Sequence, residues 1–220
     1  MNRILAFWRS TVGKKVVMAV TGIIGIGYVI MHIAGNMMAF KGAEALDGYA
    51  EMLHTTGAEL LWVARVVLLA SLILHVAAAY QLTRISHAAR PDKYAERRPQ
   101  ASTYASRLMR WGGLLLLVFI VYHIMHFTTG TVEPGTFVEH RPYANVVSSF
   151  KVWWVSAFYL VAMAFVGLHL YHGAWSSVRT LGATGRSKNP LHRSVAIALA
   201  TFVWLGFSII PIAVMLGWIQ

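Results

Sequence analysis

The chain contains no cysteine. That excludes iron–sulfur clusters, thiolate zinc, disulfides and thioether-linked cofactors within it, and it leaves histidine as the plausible metal ligand. Acidic residues are also scarce, 8 Asp and Glu against 19 Lys and Arg. Charged residues make up 12% of the chain, whereas a soluble domain usually carries about 25%. The formal net charge of +11 could point to nucleic acid. The basic residues, however, sit in the links between apolar blocks and not on one face, so membrane topology explains them better than a polyanionic partner.

What the chain has in quantity is apolar sequence: 57% hydrophobic residues and a mean hydropathy of +0.58. Blocks of about 20 or more apolar residues read as spanning helices. They fall at 16–38, 59–83, 108–129, 152–178 and 195–218. The expected fold is therefore an all-α integral membrane protein, five transmembrane helices in an up-down bundle, forming a single membrane domain over 1–220. The first block follows Arg3, Arg9, Lys14 and Lys15 as a signal peptide would. It is too long for one and lacks a small-x-small cleavage site, so it reads as a retained helix.

Charge gives the direction. The N-terminal arm, the second link and the fourth link hold fifteen of the Lys and Arg residues, while the first and third links hold Lys41, Arg141 and Lys151. Six of the acids, Glu44, Asp47, Glu51, Glu59, Glu133 and Glu139, lie with those three. The positive-inside rule places the N-terminus in the cytoplasm and the C-terminus outside, in a bacterial cytoplasmic membrane. Trp8, Trp62, Trp111, Trp153, Trp154, Trp175 and Trp218 lie near the expected interfaces, where amphipathic rings are favoured. The basic second link, 84–107, reads as a lipid-facing loop or a docking surface for a cytoplasmic subunit.

Four of the blocks carry a histidine 15–17 residues from the end at which the chain enters the membrane: His32, His75, His123 and His169. One membrane histidine is explained as well by a hydrogen bond to a neighbouring helix. Four at matched depth are not, because ionisable groups at that depth are costly and by default functional. With helices alternating in direction, His32 and His123 share one level, and His75 and His169 the other. Two imidazoles per level suit two stacked bis-histidine haems b, since two axial imidazoles give a low-spin, electron-transferring haem. Zinc would recruit carboxylate or thiolate as well. Gly22, Gly25, Gly27, Gly35, Gly112, Gly113, Gly167 and Gly173 permit close backbone approach, as they would in ordinary helix packing.

His126 follows His123 by three residues and His172 follows His169 by three, so each pair shares a helix face. Only one of each is needed, and His123 and His169 are preferred. The spare imidazoles could meet a haem propionate or a quinone, or only pack. Arg65, in the second block, could neutralise a propionate or snorkel to the interface. His54, His87, His140 and His192 fall in links or at their edges and read as solvated.

The chain resembles the single-chain, five-helix, dihaem cytochrome b subunits of succinate:quinone oxidoreductases and fumarate reductases, the cytochrome b558 family. The likeness covers most of the chain. It is carried by His32–Ile–Ala–Gly–Asn36 with Lys41–Gly–Ala–Glu–Ala45, by His75, by Tyr122–His123, and by His169–Leu–Tyr–His–Gly–Ala–Trp–Ser176. The resemblance implies that His32 and His123 hold a haem distal to the catalytic subunits and His75 and His169 a proximal one. It also implies an FAD-containing flavoprotein subunit and an iron–sulfur subunit as partners. Electrons would pass from the iron–sulfur subunit through the haems to or from a quinone, menaquinone being typical, with the dicarboxylate chemistry in the partners. The complex is either a monomer or a trimer of heterotrimers. Some relatives place a glutamate two residues before the fourth-helix ligand, and here that position is Gly167. Glu51, Glu59 and His54 are the groups that could relay protons to a quinone, or they form a solvated acidic loop. Two other functions fit less of this pattern: a dihaem anchor of a hydrogenase or formate dehydrogenase, and a transporter or channel relaying protons through histidine.

Overall fold

The computed structural model describes residues 2–89, 103–134, 136–183 and 190–220. Arg90, Lys93, Arg97, Arg98, Arg186 and Lys188, counted above for orientation, lie outside the described residues, as does most of the second link.

The described residues form eight α-helices in chain order: α1 Arg3–Arg9, α2 Thr11–Asn36, α3 Ala43–His54, α4 Ala58–Ala88, α5 Tyr104–Phe127, α6 Pro142–Lys151, α7 Trp153–Thr180 and α8 Pro190–Met215. A 3-10 turn, Met37–Lys41, extends α2. Five helices are long and apolar enough to cross a membrane: Thr11–Lys41, Ala58–Ala88, Tyr104–Phe127, Trp153–Thr180 and Leu191–Met215. The expected five-span, all-α class is therefore borne out.

Local signals start these helices. Ser10 Oγ accepts from Gly13 N at 2.9 Å at the head of α2, and Thr103 Oγ1 accepts from Ser106 N at 3.2 Å at the head of α5. Each satisfies one of the orphan amides that every helix start leaves. Buried Lys14 donates to the carbonyls of Trp8 and Arg9 at 2.8 and 2.9 Å, closing the end of α1. Pro142 opens α6, where a missing N–H costs nothing. Helix α8 continues through Pro211.

Helix α7 packs on α8, α2 and α5, and α2 packs on α4 and α8. Close packing does not bring α2 onto α5, or α4 onto α7, among the described residues. The interior combines small and branched side chains, such as Val155, Ala162, Val203 and Ala213, with the aromatic Phe119, Phe150 and Tyr159. Large apolar side chains such as Leu60, Val66, Leu69 and Ile73 of α4 point outward, as lipid-facing residues do.

The links differ from plain loops. The N-terminal arm contains α1, the first link α3 and the third link α6. Helices α3 and α6 meet at one end of the bundle, here called the upper end. Asp47 Oδ1 accepts from Tyr143 N at 3.0 Å, and Arg141 lies 3.5 Å from Asp47 Oδ2. Asn145 holds the approach to α6 by exchanging 2.9 Å bonds with both the amide and the carbonyl of Val138.

Candidate functional site

The structure brings the four histidines together as two pairs. His32 of α2 faces His123 of α5, with ring centroids 5.9 Å apart and planes at 86°. His75 of α4 faces His169 of α7, at 6.2 Å and 53°. Each pair thus bridges two helices that do not pack on each other, so the imidazoles meet across a space and not across a tight interface. Thr21, which touches His75, and His32 are eleven residues apart on α2, or ~16 Å at 1.5 Å per residue. Gly113, beside His169, and His123 are ten residues apart on α5, or ~15 Å by the same rise.

The spacing within each pair suits one metal ion gripped from both sides. An imidazole nitrogen sits about 2.0–2.1 Å from a first-row ion, so two trans rings have centroids roughly 6.3 Å apart. Rotation about each nitrogen–metal bond leaves the interplanar angle free.

Hydrogen bonds select the free nitrogens. His75 Nδ1 lies 3.1 Å from Thr21 Oγ1, and Thr21 also donates to Val17 O at 2.8 Å. His123 Nδ1 lies 3.3 Å from Tyr159 Oη. Engaging Nδ1 in this way leaves Nε2 as the nitrogen available to a metal, the second-shell arrangement common to metal-bound histidine. His169 Nδ1 is buried and has no hydrogen-bond partner among the described residues.

Glycine makes room at the lower pair. A Cβ on Gly22 would sit 3.5 Å from His75 Cε1, and one on Gly113 3.8 Å from His169 Cε1. Gly25, one turn above Gly22, faces open space. The upper pair is lined with rings instead. Tyr28 stacks on His32 at 5.4 Å, Phe207 lies 5.6 Å away, and Phe119 and Phe127 flank His123 at 5.7 and 5.6 Å.

The spare imidazoles differ from each other. His126 is fully buried, with Nδ1 2.9 Å from Tyr159 Oη and Nε2 2.9 Å from Glu133 Oε2. Glu133 is 1% exposed in its side chain, and Ser149 Oγ lies 2.8 and 2.9 Å from its two oxygens and 2.5 Å from Asn145 O. His172 lines an open cleft of about 430 Å³ at the opposite, lower end, with Lys15, Trp175, Ser176 and Arg179.

Glu133, Tyr159 and Ser149 were not singled out by sequence reasoning. The available signal was a glutamate seven residues past His126, which counted there only as link charge. Arg65 is half-buried, its guanidinium over the Trp62 ring at 5.0 Å. Glu51, Glu59 and His54 are exposed at the upper end, and His54 and His140 stand 5.9 Å apart there. His87 and His140 are exposed as expected, whereas His192 is half-buried.

Fold and site together define an all-α, multi-pass membrane protein with two stacked imidazole pairs between its helices. In sequence the chain is similar to the succinate dehydrogenase cytochrome b558 subunit of Bacillus subtilis (strain 168), 24% identical over 187 residues that cover 84% of this chain and 87% of that one. This agrees with the family resemblance carried by the histidine motifs. No protein-family model matches the chain, and no solved structure matches it significantly.

Proposed function

We propose that this chain is the dihaem cytochrome b membrane anchor of a succinate:quinone oxidoreductase. The observation that carries the reading is the pair of imidazole–imidazole separations, 5.9 and 6.2 Å, each spanning helices that are not packed together. Each level presents two imidazoles and, among the described residues, no cluster of three metal-ligating side chains. A bare ion would want more ligands, whereas a porphyrin brings its own four nitrogens and asks the protein for two.

His32 and His123 would hold the upper haem b, and His75 and His169 the lower one. His123 is preferred to His126 as the ligand, since His126 Nδ1 lies 2.9 Å from Tyr159 Oη and its Nε2 2.9 Å from Glu133 Oε2. Bound there, the two haems would supply one-electron exchange across the membrane, between an iron–sulfur subunit and a quinone of the menaquinone class. The chain's own residues do the holding. Thr21 and Tyr159 orient His75 and His123, Gly22 and Gly113 leave the lower rings clear, and the aromatic wall keeps the upper level dry. The flavoprotein and iron–sulfur subunits would dock at the lower end, which the basic links favour on the cytoplasmic side. The N-terminus is then inside, the C-terminus outside, and α3 and α6 cover the outer face.

Purified chain from haem-replete cells should show a b-type reduced-minus-oxidised spectrum with two haems per chain by pyridine haemochrome. His32→Ala should leave one. A colourless preparation ends the proposal. Co-purification with a succinate-oxidising flavoprotein and an iron–sulfur protein tests the partners.

A further inference from the structure

The upper pair is tied to a buried carboxylate through a string of side chains with no role in holding a group directly. Its order in space is His123, Tyr159, His126, Glu133. The distances are 3.3 Å from His123 Nδ1 to Tyr159 Oη, 2.9 Å from Tyr159 Oη to His126 Nδ1, and 2.9 Å from His126 Nε2 to Glu133 Oε2. All four lie on α5 and α7 or in the link after α5. His126 and Glu133 are sealed, at 0% and 1% side-chain exposure.

With Glu133 ionised and His126 neutral, one polarity runs through the string. An ionised carboxylate accepts and cannot donate, so His126 turns its Nε2–H side to Glu133, a close polar contact at 2.9 Å that falls short of an aligned hydrogen bond. Neutral His126 then carries its lone pair on Nδ1 and accepts the Tyr159 O–H. With its proton spent, Tyr159 offers an oxygen lone pair to His123, which donates Nδ1–H. His123 is left with a bare Nε2, the form that coordinates iron. The lower pair has no such anchor: His75 Nδ1 meets a threonine hydroxyl, and His169 Nδ1 has no partner among the described residues.

We propose that Glu133, acting through His126 and Tyr159, is a positioning residue that locks the His123 tautomer and lowers the midpoint potential of the upper haem alone. The inference rests on the dihaem reading. Electron density pushed toward His123 Nε2 by a carboxylate at the far end of the string makes the imidazole a stronger donor and favours the oxidised iron, since second-shell hydrogen bonds tune a bound metal in this way.

The test is a redox titration of both haems in the full-length chain, comparing wild type with Glu133→Gln and Tyr159→Phe. Gln keeps the shape and removes the charge, while Phe keeps the ring and cuts the string. Each variant should shift the upper midpoint potential upward and leave the lower one in place. Glu133→Asp, which restores a carboxylate, should return the potential toward wild type. Two haems with unmoved potentials in both variants overturn the inference and leave the dihaem reading intact. Equal shifts of both haems overturn it too, because a string confined to one level cannot act on the other. If one variant sheds the upper haem, the potential in the other decides. Wild-type protein without haem removes the dihaem reading itself.

Discussion

The two histidine pairs hold their imidazoles by different means. At the upper level, rings from α2, α5, α7 and α8 surround His32 and His123, and a phenol, a second imidazole and a carboxylate back one of them. At the lower level a single threonine fixes His75, glycine backbones stand beside both rings, and His169 has one nitrogen unpaired among the described residues. The upper rings are fixed by large, hydrogen-bonded neighbours. The lower rings have glycine beside them and fewer hydrogen bonds. Similar centroid separations thus arise from two different sets of neighbours.

The sharpest way to break the comparison is to delete one imidazole. His75→Ala should cut the haem count from two to one and leave the upper spectrum unchanged, read by pyridine haemochrome and low-temperature difference spectra. Loss of both haems would show that the levels are not independent. Filling the glycine face comes next. Gly22→Leu drives a branched side chain onto His75 and should deplete the lower haem only, whereas Gly22→Ala, whose Cβ stays at ordinary contact distance, should keep both. Equal tolerance of the two would remove glycine from the account of the lower site.

Smaller effects follow from the hydrogen bonds. Glu133→Ala removes an acceptor of buried Ser149 Oγ and the carboxylate 2.9 Å from His126 Nε2, and should cost about 1–3 kcal/mol of stability, the penalty for unsatisfied buried polar groups, seen as earlier unfolding in detergent. Thr21→Val should cost about 1 kcal/mol, because it removes the hydrogen bond between a buried hydroxyl and His75 Nδ1. If Thr21→Val proves the more damaging of the two, the contrast between an anchored upper level and a loose lower one is wrong.

Much of this was legible before any coordinates. Spanning helices announce themselves by local hydropathy, so all five were readable, with ends within a few residues of those observed. The observed spans are longer than the apolar blocks, since helices such as α2 and α4 run on into polar turns. The short helices α1, α3 and α6 were not legible. They are amphipathic stretches in links rich in charge, and α6 starts at a proline that also reads as a loop. At the site, the four histidines stood out by depth, and His123 was preferred to His126. Three residues apart on one face, the two look alike in sequence, and only the fold shows His126 Nδ1 beside Tyr159 and its Nε2 2.9 Å from Glu133.

Composition and period by themselves decided that this chain is helical, lives in a bilayer and carries four imidazoles at two depths, because each of these depends on residues close together along the chain. Only the folded arrangement decided which helices stand apart, which nitrogens are hydrogen-bonded, and that a glutamate in a link turns inward at the upper end of α5. Those depend on how helices rotate and pack against partners tens of residues away, where sidedness is settled by the fit of side chains and not by their order.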